Sequence, residues 1–202
     1  NKLTEFLNNL DFETFYGVCI NENIDERPDI SLVIQFFTAL ILNEDIVLES
    51  ISPEDQYQFG IILKMNNNIQ KAIQYFTLAA NQNHVKAQYF LGKIYYDCEY
   101  IERNINKSIY YFTLAVNQNH LESQYSLGFI YYENSCSKQD IYKSIHYLKI
   151  AANRNHIGAL FILGLIYYKS SYVQLDINKA IKYLTLASNQ NCLQAKFTLG
   201  LI

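Results

Sequence analysis

Three histidines stand at one recurring position, His84, His120 and His156, and Cys192 takes the same place in the next copy. Imidazole and thiolate both ligate zinc, so a metal ladder is the first chemistry to weigh. Equivalent residues of stacked helices lie about 8–10 Å apart, whereas zinc ligands sit about 2 Å from one ion. Adjacent histidines therefore cannot share a metal, and the position reads as a turn between helices. His146 replaces Gln74, Tyr110 and Lys182 of the other copies, which marks a variable, exposed site. Cys136 with a nearby histidine would make a nucleophilic pair, but nothing orients it and no oxyanion-hole motif accompanies it. Asn106-Lys107-Ser108 has the form of a glycosylation acceptor, yet it is also the start of a helix in the repeat register. The expectation is no catalytic residue, no metal and no cofactor.

The elements behind these positions follow from composition. Half of the 202 residues are apolar, 15% are aromatic, and there are only seven glycines and two prolines. That is enough to build a core, and so few breakers favour long helices. A net charge of −3 disfavours a nucleic-acid partner. Cys19, Cys98, Cys136 and Cys192 form no close pair, so they read as free thiols in a reducing, cytoplasmic compartment. The longest apolar stretch, Leu32 to Leu42, holds 11 residues. A bilayer span needs about 20, so no membrane partner is expected. The first residues lack the basic and apolar blocks of a signal peptide. The chain begins with Asn and stops inside a periodic pattern, which reads as a piece of a longer protein.

That pattern has a period of 36 residues: Gly92, Gly128, Gly164 and Gly200 share one register, as do Ala72, Ser108, Ser144 and Ala180. Gly60 precedes Gly92 by 32, in a divergent copy with a shorter connection. Each copy reads as two helices. The first runs from about Val85 to Tyr96 with Ala87, Leu91, Ile94 and Tyr95 on one face. Gly92 lies mid-helix, where glycine costs about 1 kcal/mol relative to alanine, so close helix–helix approach is expected there. The second helix opens after Asn68, Asn104, Asp140 and Asp176, all good N-cap types. It buries Ser108, Ile109, Phe112 and Ala115, and closes at Asn83, Asn119, Asn155 and Asn191 in the left-handed conformation. Lys71, Lys107, Lys143 and Lys179 fall in its first turn, the wrong end for the helix dipole. A packed aliphatic stem is one account.

Ala-x-x-x-Leu-Gly-x-x-Tyr, then Asp-x-x-Lys-Ala, then Tyr/Phe-x-Leu-Ala-Ala resembles the Sel-one-like repeat. Ala87, Leu91, Gly92, Tyr95 and Lys107 match directly, and the likeness covers roughly Pro53 to Ile202. The resemblance implies an all-α fold, a right-handed α-solenoid of stacked antiparallel helix hairpins related to tetratricopeptide arrays. The family's loop glycines are replaced by Cys98, Asn134 and Ser170. The domain division expected is an acidic helical segment over 1–52 and a repeat array over 53–202. Residues 1–53 carry net −8 and residues 54–202 carry net +5.

The stretch Tyr16 to Phe37 resembles the end of a protein-kinase catalytic domain. Cys19, Arg27, Pro28, Ile30, Val33, Ile34 and Phe37 keep its register, while Ile20 replaces a Trp. The segment also reads as an N-terminal cap for the solenoid. In either case the chain lacks a Gly-rich loop, a Val-Ala-x-Lys strand, His-Arg-Asp and Asp-Phe-Gly, so it is not expected to be an enzyme itself.

Aromatic residues recur along the first helices. Tyr57, Tyr89, Tyr125 and Phe161 precede the Leu-Gly pair or its equivalent. Tyr96, Tyr132 and Tyr168 follow seven residues later on the same face, with the variable Ile61, Lys93, Phe129 and Leu165 between. The resemblance places this face along a concave groove that binds a protein or peptide partner. For the earlier ring, whose type hardly changes, burial against neighbouring first helices is the favoured reading, while for the later tyrosine and the variable position both readings stay open. The reading is a protein-interaction scaffold, docking for a larger signalling protein, with the C-terminal fragment of a protein kinase as the alternative.

Overall fold

The computed structural model describes residues 52–65, 67–97 and 99–202. Every regular element among these is an α-helix: α1 Pro53–Met65, α2 Ile69–Asn81, α3 Val85–Tyr96, α4 Ile105–Asn117, α5 Leu121–Glu133, α6 Lys138–Asn153, α7 Ile157–Lys169, α8 Ile177–Asn189 and α9 Leu193–Leu199. The fold is all-α and of the solenoid class, with hairpins such as α1/α2, α5/α6 and α7/α8 as its units. The chain divides into two compact units, Asn1–Asn104 and Ile105–Ile202. The first includes α1–α3 and the second α4–α9. The kinase-like stretch and most of the acidic segment lie outside the described residues. No described helix is long and apolar enough to cross a membrane.

The recurring glycine is what lets two helices of a hairpin touch. A Cβ built on Gly128 meets Leu148 Cγ at 2.7 Å, and one on Gly164 meets Leu184 Cγ at 2.6 Å. At Gly60 the obstacle is the Phe76 ring, 2.5 Å away. Leu148, Leu184 and Phe76 are fully buried, and burial of such a side chain contributes about 1.5–3 kcal/mol. Beside this contact the second helix must also be small: Ala72, Ser144 and Ala180 are fully buried. The Ser144 hydroxyl donates to the Gly128 carbonyl at 2.8 Å.

The helix ends follow the sequence closely. Asn83, Asn119, Asn155 and Asn191 all have φ between 62° and 64°, and Asn67 joins them at 56°. In each long copy the following residue donates to a carbonyl five back, as His84 N–H does to Ala79 O at 3.1 Å. That bond closes a Schellman motif. Asn68 and Asp176 are N-caps, each accepting from the N–H three residues on. Asp140 corrects the expectation. Here α6 begins at Lys138, capped by Ser137, whose hydroxyl oxygen accepts the Asp140 N–H at 3.2 Å. Asp140 answers by accepting from the Ser137 hydroxyl at 2.7 Å and from the Cys136 N–H at 3.3 Å. The reciprocal capping box holds one extra helical turn that a lone N-cap would not. Ser52 and Asp55 repeat the device at α1. Asn134 and Ser170 keep negative φ, so neither place needs the glycine missing there, and Cys98 lies outside the described residues.

Two of the misplaced lysines are held by neighbours other than the helix dipole: Lys143 by a ring, and Lys179 by a ring and by Asp176 Oδ2 at 2.7 Å. Tyr131 of α5 stacks on Tyr147 of α6 with centroids 6.1 Å apart, and Tyr167 on Tyr183 at 5.9 Å. Lys143 Nζ lies 5.2 Å from the Tyr131 centroid and Lys179 Nζ 5.3 Å from that of Tyr167. A cation over a partly exposed tyrosine contributes about 0.5–1 kcal/mol, enough to offset an unfavourable place in the dipole.

Candidate partner-binding site

The first helices present the expected aromatic face, but its first members are core. Tyr57 is 0% exposed and Ile61 2% exposed. Tyr57 is enclosed by Phe76, His84 and Phe90, with ring centroids 5.9, 4.8 and 5.7 Å away. Leu148 and Ile162 stand where Phe76 and Phe90 stand in the first unit, so Tyr125 meets smaller neighbours than Tyr57 does. Tyr57 and Ile61 therefore line no groove. On α3, Tyr89 and Tyr96 are half-buried and Lys93 is exposed. Lys93 Nζ lies 5.7 Å from the Tyr89 centroid, and the Arg103 guanidinium 4.4 Å from that of Tyr96.

The second unit brings six of the candidates together. Tyr125, Phe129 and Tyr132 on α5, with Phe161, Leu165 and Tyr168 on α7, are half-buried against one core cluster. Helices α5 and α7 touch directly. Tyr125 stacks on Phe129 at 6.0 Å and on His156 at 4.2 Å. Gly158 gives the ring its seat, since a Cβ there would meet Tyr125 Cε2 at 2.8 Å. Burial pushes the Tyr125 phenol up, and the Glu122 carboxylate adds to this. Burial does the same for Tyr132. Both stay neutral phenols, able to donate a hydrogen bond.

Tyr132 and Leu165 also wall a depression of about 450 Å³ between the loops after α5 and α7. Ile141 contributes to its apolar lining, and Glu133, Lys169, Ser170 and Tyr172 contribute polar groups. Tyr172 and the serines were not readable as site residues, because they sit in the loop where copies differ most. An apolar lining with hydroxyls and both charge signs suits a bulky side chain on a polar backbone.

The recurring histidine has a structural task. His84, His120 and His156 are N-caps of α3, α5 and α7, each Nδ1 accepting a backbone N–H at 3.2 Å. An accepting Nδ1 leaves Nε2 as the protonated nitrogen of the neutral ring. Nε2 of His84 then reaches Glu54 at 3.0 Å and Nε2 of His156 reaches Glu122 at 3.2 Å. The imidazole thus ties one hairpin to the next. Cys192 makes no side-chain cap bond.

A family model described as Sel1 repeat matches residues 57–84, 85–120, 121–156 and 157–192. Among curated proteins none matches the sequence. A protective antigen present in uropathogenic Escherichia coli strains, displaying an SLR fold, is similar at 24% identity and a TM-score of 0.69, over 82% of this chain and 36% of that one. A Sel1 repeat protein from Oxalobacter formigenes is similar at 21% identity and a TM-score of 0.67, over 84% of this chain and 70% of that one. At these identities the likeness is one of fold. This chain spans about a third of the length of the Escherichia coli antigen.

Proposed function

Because this chain belongs to the Sel1 repeat family, we propose that it binds a protein partner, as an extended peptide, along the aromatic face of α5 and α7. Sel1 repeat proteins generally mediate protein–protein interaction. The observation that carries the site is the row of six half-buried side chains, Tyr125 to Tyr168, which ends at the depression beside Tyr132 and Leu165. Rings with an apolar body and a polar tip lose little freedom on binding and dominate interface energy. Peptides selected from a displayed library on the full chain provide the test. Tyr132→Ala with Tyr168→Ala should weaken the selected peptides at least tenfold, about 1.4 kcal/mol or more, with helicity unchanged. Undiminished binding by a folded double variant would overturn the assignment. We further read the array as the docking part of a larger signalling protein in the cytoplasm. Support for this reading comes from the kinase-tail resemblance at Cys19, Arg27 and Pro28 and from the unpaired spacing of the cysteines. A fragment of a protein kinase remains the alternative parent.

A further inference from the structure

Charge in the second unit is sorted by helix layer. The second helices α4, α6 and α8 carry six lysines, Lys107, Lys138, Lys143, Lys149, Lys179 and Lys182, against one acid, Asp140. The first helices α5, α7 and α9 carry two lysines and two glutamates. All six outer lysines are exposed. Asp140 attracts Lys143, and Asp176, the N-cap of α8, pairs with Lys179 at 2.7 Å, so six lysines less two acids leave an excess of four positive charges on these helices and their caps. Two of the six need no part in the fold: Lys149 and Lys182 make no hydrogen bond or ion pair among the described residues. Between the lysines stand Tyr110 and Tyr142, 59% and 52% exposed.

We propose that this lysine face is a second docking surface, separate from the aromatic face, and that its occupant is an acidic polypeptide segment. Charge complementarity selects an anionic partner. The side chains choose among anions. Recognition of phosphate favours the arginine fork, which binds two oxygens at once. The outer layer has no arginine, and the unit's single one, Arg154, is engaged by Asn119 O at 2.8 Å and Gln124 Oε1 at 3.3 Å. Lysines are point charges that suit carboxylates spread along a chain, and the exposed tyrosines offer apolar contact between them.

The test uses the full chain and a fluorescein-labelled poly-glutamate peptide, followed by anisotropy at low and physiological salt. Lys149→Gln with Lys182→Gln should weaken binding about fivefold, with helicity and Tm unchanged. Lys169→Gln with Lys196→Gln removes the same net charge from the first helices and should change binding little. Tyr132→Ala with Tyr168→Ala should also leave it intact, so failure of the aromatic face and of this one are told apart. Equal losses from the two lysine pairs would show a response to net charge alone and overturn the proposal. Tighter binding of oligothymidylate or of phosphatidylserine vesicles than of poly-glutamate would overturn the choice of partner. So would no measurable binding of poly-glutamate at low salt.

Discussion

Two junctions in the second unit occupy the same register and are built from opposite materials. From α5 to α7 the residues are Glu122, Gln124, Tyr125, Arg154 and His156. From α7 to α9 their equivalents are Gly158, Leu160, Phe161, Gln190 and Cys192. The first junction is a polar network: Gln124 donates to Asn119 Oδ1 at 2.9 Å, Arg154 bridges back, and His156 caps α7 while holding Glu122. In the second, Leu160 is buried, and Cys192 caps without a side-chain bond. All five polar partners change together. A buried polar group is tolerable only when its partners are present, so intermediate combinations are the unfavourable ones.

Breaking that correlation should have the largest effect. Leu160→Gln places an amide at a site 2% exposed, with no arginine to meet it. A loss of about 3 kcal/mol is expected from the unpaired amide and the lost apolar burial, read by urea denaturation. Grafting all five residues of the polar junction should restore most of it. A Leu160→Gln protein as stable as the parent would end the idea that the network acts as a set.

The clamp common to both hairpins comes next. Gly164→Ala must push Leu184, whose backbone N is also only 3.4 Å from the new methyl. Overpacking costs about 1–3 kcal/mol, against about 1 kcal/mol of helix propensity gained. A net loss of Tm is expected, and Gly128→Ala should do likewise. A gain in Tm would show that the glycine is kept for a reason other than close approach.

Periodicity made the fold legible because it repeats where packing repeats. Gly128 and Gly164 share a contact as well as a register, and Asn83 to Asn191 share a backbone conformation. Legibility ended where one position carried a residue with an unusual task. Histidine is not among the preferred N-cap types, so His84, His120 and His156 read as turn residues although they sit one residue before a helix. Ser137-x-x-Asp140 has the spacing of a capping box, whereas the register shared with Asn68 and Asp176 pointed to Asp140 itself. Tyr57 and Ile61 show the limit for the site. Their register places them with the half-buried rings, but burial depends on neighbours in three dimensions, and Phe76 and Phe90 are larger than the residues at those places in α6 and α7.

Capping distinguishes the junctions by a smaller amount and in opposite directions. His156→Ala removes an N-cap, a ring stack and the hold on Glu122, and about 1–2 kcal/mol should be lost. Cys192→Asp adds the cap bond that Cys192 does not make, with negative charge at a helix N-terminus, and about 0.5–1 kcal/mol should be gained. Thermal melts of the two variants should move apart. Both falling would mean that the junction from α7 to α9, like that from α5 to α7, depends on its native residue.

The smallest effect follows acid. The first unit repeats the polar junction with Glu54, Gln56, Gln82 and His84, where Gln82 donates to Gln56 at 2.9 Å. Partial burial works to raise the Glu54 pKa, but hydrogen bonds from Gln58 and His84 and the charges of His84 and Lys86 outweigh it, so it is lowered from 4.5. A carboxyl whose pKa is depressed by folding stabilises the protein fully above its unfolded value. That contribution disappears as pH falls below 4.5 through the folded value. Glu54 is exposed, and solvent screening keeps the contribution small. Glu54→Gln should therefore lower Tm slightly at neutral pH and converge with the parent in acid. An offset that persists unchanged below pH 4 would mean that the glutamate matters for its shape and hydrogen bonds, not for its charge, and the two junctions would then differ in packing alone.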